Sequence, residues 1–169
     1  IKKSAQDMQD LIESVLFLAR EDQNNLPLKK IPVEVNELLQ SLCKSYNNPR
    51  IEFLQGENFE TDGDKDFLEK MFRELIDNAL NFSEEKVTVA VENFSVKIID
   101  RGIGISEENR EKIFDRFFKI DRSRTQIEGK KNSVGLGLSI AKWIADKHGL
   151  KIEIDSELGI GTTILVRNV

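Results

Sequence analysis

The residues best placed to do chemistry lie on a stretch with helical periodicity from 65 to 83, which includes MFRELIDNALNFS. At about 100° of rotation per residue, Leu68, Met71, Phe72, Leu75, Ile76 and Ala79 fall on one side, and Glu74, Asn78 and Asn81 gather within roughly 60° on the other. One face packs and the other presents oxygen ligands and amides. Carboxylate or carboxamide oxygen at i and i+4 suits Mg²⁺, a hard cation that keeps several waters and shares phosphate oxygens with a nucleotide. A solvated polar face has the same pattern, so the helix alone does not decide. Three glycine-containing segments add to it. IIDRGIGI leaves a strand with Asp100 at its end, where a carboxylate can accept a hydrogen bond from an exocyclic amine such as that of adenine. Gly102 and Gly104 follow and allow a tight backbone course. SVGLGLSIAKWIA places Gly135, Leu136 and Gly137 at a helix start, where free N–H groups and the helix dipole favour phosphate. GIGTTI sets Gly159 and Gly161 before a terminal strand, with Thr162 offering a hydroxyl. None of these satisfies G-x-G-x-x-G or G-x-x-x-x-G-K-[ST], so neither a Rossmann nor a P-loop site is indicated.

The elements that must position these residues follow from periodicity. Over residues 1–20, Met8, Leu11, Ile12, Val15, Leu16, Leu18 and Ala19 recur at three- and four-residue steps, as in an amphipathic helix. That helix needs a partner helix in a bundle or dimer, or else folds back on its own domain. Residues 21–27 read as a linker. Beyond it, LKKIPV predicts a short strand, VEVNELLQSLCKSY a helix, and RIEFLQ and NFETDG short extended segments around Gly56. Asp64 can cap the helix that carries Glu74, Asn78 and Asn81. VTVAVEN and SVKIIDR alternate as strands joined near Asn93. A long irregular stretch follows, then a helix from about Gly135 to Lys147 ended by Gly149, and strands KIEIDSE and TTILVRN. Consecutive strands without crossover helices exclude a doubly wound parallel sheet. They predict an α+β fold, a two-layer α/β sandwich whose mixed, mostly antiparallel sheet is covered by helices.

Composition sets further bounds. The 169 residues carry a formal charge of −5, which argues against nucleic acid or an anionic membrane as a general partner. No apolar run approaches the roughly 18 to 20 residues that span a bilayer, and the N-terminus lacks the apolar stretch of a signal peptide, so the chain is expected to be soluble. Cys43 is the single cysteine. It cannot form an internal disulfide and reads as a half-buried helix residue. The basic cluster Lys119, Arg122, Arg124, Lys130 and Lys131 on charge alone describes a solvated loop.

In order along the chain stand ELIDNALNFS, DRGIGI, IFDRFFKIDRSR, GLGLSIAKWI and GIGTT. This succession resembles the N-box, first glycine box, F-box, second glycine box and third glycine segment of histidine kinases within the GHKL ATPase superfamily. The resemblance covers residues 28–169 as a catalytic ATP-binding domain of Bergerat type. Residues 1–27 resemble the second helix of a dimerisation and histidine-phosphotransfer domain, with its linker, and the 169 residues themselves contain no histidine box. The resemblance implies ATP and Mg²⁺ as cofactors. Asn78 would be the Mg²⁺ ligand, and Glu74 would order a metal-bound water. Asp100 would read the adenine amine, with Thr162 supporting that contact directly or through water. Gly102 and Gly104 would shape the pocket, and Gly135, Leu136 and Gly137 would bring backbone amides to the phosphates. Residues 119–134 would form a mobile lid, with Lys119 and Arg122 toward phosphate. Phe114, Phe117 and Phe118 would anchor it, although these phenylalanines could equally belong to the core.

Two positions depart from the family pattern. Asn81 stands where many histidine kinases have a basic residue facing phosphate, which leaves neutralisation to Mg²⁺ or the lid. Ile164 stands where an aromatic is common, a change that packing should absorb. His148 in DKHGLKI reads as a helix-end residue and not a phosphoacceptor. The implied activity is transfer of the ATP γ-phosphate to a histidine on a dimerisation domain, for relay to an aspartate on a response-regulator receiver domain. The parent is expected to be a homodimeric, membrane-anchored bacterial sensor kinase with this portion in the cytoplasm. A clamp-type ATPase of the same superfamily and a degenerate nucleotide-binding module are the rival readings. IFDRFF and the N-terminal helix weigh against the first. Intact Asn78, Asp100 and the glycine segments weigh against the second.

Overall fold

The computed structural model describes residues 8, 12, 15–17, 19, 27–120 and 135–168. The expectations for Arg122, for the greater part of the segment 119–134 and for most of the linker lie outside the described residues. The elements in chain order are β1 (Ile31–Glu34), α1 (Val35–Ser45), β2 (Ile51–Leu54), β3 (Glu60–Gly63), α2 (Lys65–Phe82), β4 (Val87–Glu92), β5 (Ser95–Asp100), α3 (Gly137–His148), β6 (Leu150–Glu157) and β7 (Gly161–Asn168). Two single-turn 3-10 segments, Glu107–Asn109 and Lys112–Phe114, interrupt the stretch after β5.

The strands form a five-stranded sheet in the order β2-β4-β5-β7-β6, and β1 and β3 pair separately as a ribbon. Among the described residues only the β2–β4 pairing is parallel; the other pairings are antiparallel. The fold is therefore the α+β sandwich with a mixed, mostly antiparallel sheet that the element order predicts. Alternation along β5 buries Val96, Ile98 and Asp100 while Lys97 and Ile99 stay half-exposed, so one face of the sheet is covered. Cross-strand register carries this face over three strands. Val96 lies opposite Val166 and Ile98 opposite Ile164, while Ile152 and Ile154 of β6 complete the same rows.

Helix α2 buries the six apolar residues its periodicity singled out, Leu68 through Ala79, and its start is capped by Asp64, whose carboxylate accepts from the N–H groups of Asp66 and Phe67. Ile140, Ala141, Ile144 and Ala145 bury the inner side of α3. This helix begins at Gly137, two residues later than expected. Gly135 has φ of +82° and its carbonyl accepts from the Phe117 N–H at 2.8 Å, so it turns the chain into the helix and is not part of it. Cys43 is buried on α1, and burial pushes its thiol up to about 11. Ile164 packs fully in the core where the family pattern favours an aromatic.

Helical backbone is also present at Met8, Ile12, Val15, Leu16, Phe17 and Ala19. Phe17 sets its ring edge against Trp143 of α3 with centroids 5.0 Å apart, and lies 6.0 Å from Phe67 of α2. Met8, Ile12, Val15 and Leu16 remain exposed. This helix therefore folds back onto its own domain through Phe17, and an apolar stripe at spacings of four, three and one faces outward.

Candidate functional site

The site is built at the C-terminal end of β5, where the apolar rows of the covered face give way to a polar one. Asp100 lies directly opposite Thr162 on β7, which lies opposite Ser156 on β6. Three neighbouring strands thus present a carboxylate and two hydroxyls side by side, directly beyond the row Ile98–Ile164–Ile154. All three polar residues are buried. The Asp100 carboxylate accepts from the Gly102 N–H at 2.8 Å. Burial pushes its pKa up, and the backbone N–H groups of Gly102 and Thr162 offset part of that rise. A carboxylate kept under these conditions has one feature of a ligand-reading group, since its charge carries a desolvation cost that the surrounding N–H groups do not fully offset.

The loop after Asp100 is clamped on both sides. Ile103 donates its N–H to the Phe82 carbonyl at the end of α2, and the Gly159 N–H donates to the Ile103 carbonyl at 2.7 Å. Gly104 has φ of +66°, and a Cβ there would lie 2.0 Å from the Glu157 carbonyl oxygen. Only glycine meets both conditions. Ile105 then donates its N–H to the Ser156 hydroxyl at 2.9 Å, and Arg110 donates to the Ser156 carbonyl. The loop is therefore fastened to the ends of α2 and β6, beside the polar row.

Glu74, Asn78 and Asn81 are half-buried on the side of α2 opposite its core residues. Helix α3 begins against that side: a Cβ on Gly137 would lie 2.6 Å from Glu74 Oε2. Leu136 precedes the helix with no side-chain cap, and its side chain is buried. What this residue can offer a ligand is its backbone, along with the N–H groups of the first helical turn. Lys70 lies 3.5 Å from Glu74, one turn earlier on α2.

Asp100, Gly102 and Thr162 are brought together as expected, with Gly104 packed against Glu157 in the same loop, and Gly137 meets Glu74, whereas Gly135 packs against the backbone of Phe117 and Phe118. Lys119 is exposed just beyond Phe118. Phe114 packs against the core, Phe118 is half-buried and Phe117 is exposed with φ of +64°. Of the three phenylalanines, Phe114 thus takes the core role, while Phe117 sits where the chain enters the 119–134 segment and is tied through its N–H to Gly135. His148 is the helix-end residue expected, but it is buried and doubly bonded. Its Nε2 accepts from the Asp64 N–H at 3.0 Å and its Nδ1 faces the Ile144 carbonyl at 2.7 Å. Sequence reasoning missed Ser156. Its signal was the alternation Ile152, Ile154, Ser156, which puts a hydroxyl on the core-facing side of a strand.

An oxygen-rich, half-buried helix face suits a hard cation that takes most of its ligands from phosphate and water. Among the described residues no group of three or more His, Cys, Asp or Glu could enclose a metal by itself. The donor set of Asn78 and Glu74 fits Mg²⁺ carried in with a nucleotide. Among the described residues no helix is long and apolar enough to cross a membrane.

Comparison with known proteins agrees with this geometry. Residues 63–168 match the family described as histidine kinase-, DNA gyrase B-, and HSP90-like ATPase. The signal transduction histidine-protein kinase ArlS of Staphylococcus aureus is 34% identical over 167 residues, covering 92% of this chain and 36% of the relative. The chain thus spans about a third of the length of the curated relatives it matches. Among solved structures, the mycobacterial sensor histidine kinase MprB superposes with a TM-score of 0.68 at 25% identity, covering 83% of this chain and 99% of that one. Full-length ShkA, solved in complex with AMPPNP, superposes with a TM-score of 0.76 over 96% of this chain and 36% of that one; at 22% identity the likeness is one of fold.

Proposed function

The chain belongs to the family of histidine kinase-, DNA gyrase B- and HSP90-like ATPases, and we propose that it is the nucleotide-handling region of a two-component sensor histidine kinase. In this reading it passes the ATP γ-phosphoryl group to a histidine on a dimerisation domain, for relay to an aspartate of a response-regulator receiver domain. The observation that carries the reading is the start of α3, where the N-cap Leu136 makes no side-chain capping bond and Gly137 is set against Glu74 on the polar side of α2. A triphosphate placed there meets backbone N–H groups on one side and oxygen ligands on the other, as phosphoryl transfer requires.

Asp100 accepts the adenine amine, with Thr162 beside it. Backbone N–H groups around Gly135, Leu136 and Gly137 take phosphate oxygens, and Gly102 and Gly104 let the first loop approach the nucleotide. Asn78, with Glu74 one turn earlier, would hold Mg²⁺, which would supply charge neutralisation at the phosphates. Asn81 lies one turn on from Asn78 and adds a neutral amide to the same face. Lys119 and Arg122 supply further cations toward phosphate. Rate enhancement comes from positioning and electrostatic stabilisation, with no protein nucleophile required in this chain.

The docked N-terminal helix supports a kinase over a clamp-type ATPase. Phe17 fastens it beside α3, and its outward stripe of Met8, Ile12 and Leu16 suits a bundle with a histidine-bearing domain and, through it, a homodimer. The parent protein would be a membrane-anchored sensor with this portion in the cytoplasm.

The test is γ-labelled ATP with Mg²⁺, given to the chain alone and with a separately supplied histidine-bearing dimerisation domain. The chain alone should acquire no label, because both ring nitrogens of its one histidine are committed to backbone groups. The added domain should gain an acid-labile label, slowly, since splitting the chain discards the high effective concentration of a tether. Asn78→Ala should abolish that transfer. Labelling of His148, or transfer undiminished in Asn78→Ala, would overturn the reading.

A further inference from the structure

The polar row beyond the sheet's apolar face contains one residue to which the nucleotide reading gives no task. Ser156 is buried, and its hydroxyl oxygen has three neighbours within hydrogen-bonding distance. The Ile105 N–H lies at 2.9 Å, the Gly161 carbonyl oxygen at 2.9 Å and the Thr162 hydroxyl oxygen at 2.9 Å. A serine hydroxyl has one proton and two lone pairs. The Ile105 N–H can only donate and the Gly161 carbonyl can only accept. If the serine proton went to Thr162, the Ser156 oxygen and the Gly161 carbonyl oxygen would face each other at 2.9 Å with no proton between them. If it goes to Gly161, the remaining lone pair of Ser156 is filled by the Thr162 proton. Only the second arrangement satisfies all three contacts, and in a buried site an unmatched polar pair is costly.

This count has a consequence one strand away. With its proton committed to Ser156, the Thr162 hydroxyl is left with lone pairs alone to present toward Asp100 and whatever sits beside it. The carboxylate opposite it in register is also an acceptor. Two acceptors side by side demand a donor from the ligand. The exocyclic amine of a 6-aminopurine meets that demand, directly or through a water whose orientation the row sets. The carbonyl of a 6-oxopurine does not. Arg110 and the Ile105 N–H hold Ser156 from the loop side, so this polarity is built into the junction of β6, β7 and the segment after Asp100.

We propose that Ser156 is a positioning residue for base selection: by taking the Thr162 proton it makes Thr162 an obligate acceptor and so helps exclude 6-oxopurine nucleotides. The inference rests on the adenine-nucleotide reading given above and adds the residue that sets the site's hydrogen-bond polarity. Ser156 touches no ligand itself; it acts through Thr162.

Calorimetric titration with ATP and with ITP separates the two ideas, because ITP replaces the amine at carbon six by a carbonyl, with a proton on N1 where ATP has a lone pair, and leaves the rest of the nucleotide unchanged. The unmutated chain should prefer ATP by on the order of 30-fold. In Ser156→Ala the Thr162 hydroxyl is free to rotate and donate, and the preference should shrink by roughly tenfold, chiefly through tighter ITP. Ser156→Thr, which keeps the hydroxyl, should restore it. In a Thr162→Val background, adding Ser156→Ala should leave the ratio unchanged, a result that a purely structural loss would not give. A folded Ser156→Ala that keeps the full ATP preference would overturn the proposal, as would an equal change of ratio in the Thr162→Val background. Should Ser156→Ala fail to fold, Thr162→Val alone must lower the ratio, and an unchanged ratio there also overturns the proposal. Binding of neither nucleotide by the unmutated chain would instead sink the nucleotide reading on which it rests.

Discussion

The two long helices of the sandwich begin in different ways. The start of α2 is closed: Asp64 caps it through Asp66 and Phe67, accepts in addition from the Lys29 N–H, and donates its own N–H to His148 at the end of α3. At the start of α3 the N-cap Leu136 makes no side-chain capping bond and Gly137 faces Glu74, while at the end of β5 burial pushes the Asp100 carboxyl up. Polar groups at the first junction satisfy one another, which adds stability. Those at the second are, in the proposed reading, the ones that receive the nucleotide. On that reading the same element type is used once to hold the fold and once to receive a ligand, and substitutions at the two places should have opposite signatures.

The largest effect is expected at the open end. Asp100→Asn should weaken ATP binding by on the order of 10- to 100-fold, through loss of a charge-assisted hydrogen bond. It should not lower the melting temperature. The sign follows from the raised pKa: a carboxyl whose folded value lies above its unfolded one contributes stability that is full below the unfolded value of 3.8 and is lost as pH rises through the folded value. Burial disfavours the charged form of this carboxyl, so a neutral amide in its place should not lower stability. A drop in melting temperature matching the loss of affinity would make Asp100 a structural residue.

The closed end should behave the other way. His148→Leu leaves the Asp64 N–H without its acceptor and should cost about 1–3 kcal/mol by denaturant unfolding, while ATP affinity changes less than about twofold. Burial lowers the His148 pKa, with the Lys30 charge adding to that and the Ile144 carbonyl and Asp64 opposing it. A depressed histidine favours its neutral form in the fold. Its contribution is therefore full above the unfolded value of 6.5 and is lost as pH falls below that toward the folded value. Unfolding curves should show stability declining below about pH 6.5, and His148→Leu should flatten that decline. Equal acid sensitivity in the variant would assign it to other groups.

These two junctions were not equally legible in the sequence. The packing face of α2 follows from the 3.6-residue period, since Leu68, Met71, Phe72, Leu75, Ile76 and Ala79 are all buried. Asp100, Thr162 and the glycines were legible because each stands at a break between elements, where composition is distinctive. What joins them was not. Nothing local specifies that β7 inserts between β5 and β6, and without that register Ser156 is simply a serine in a strand. His148 reads as a helix end because its helix is local, whereas its burial depends on Asp64, 84 residues away in the chain. Pairings across the sheet are set by tertiary packing, which alternation patterns do not encode.

The smallest effect is expected where the N-terminal helix meets the sandwich. Phe17→Ala should cost only about 0.5–1.5 kcal/mol of docking, because the loss falls on ring contacts with Trp143 and Phe67 and no polar group is orphaned. Trp143, the single tryptophan, reports it directly: its emission should shift to the red while nucleotide binding stays unchanged. An unshifted spectrum would mean that the Phe17 contact does not shield Trp143.

Hydrogen exchange with and without ATP and Mg²⁺, read along the whole chain, tests the contrast between the two ends most directly. Protection should rise at 74–81, 100–105, 135–139 and 161–163, and stay level at 31–35, 60–68 and 144–150. Protection gained around Asp64 and His148, with none around Asp100 and Gly137, would place the ligand at the closed end and contradict the account.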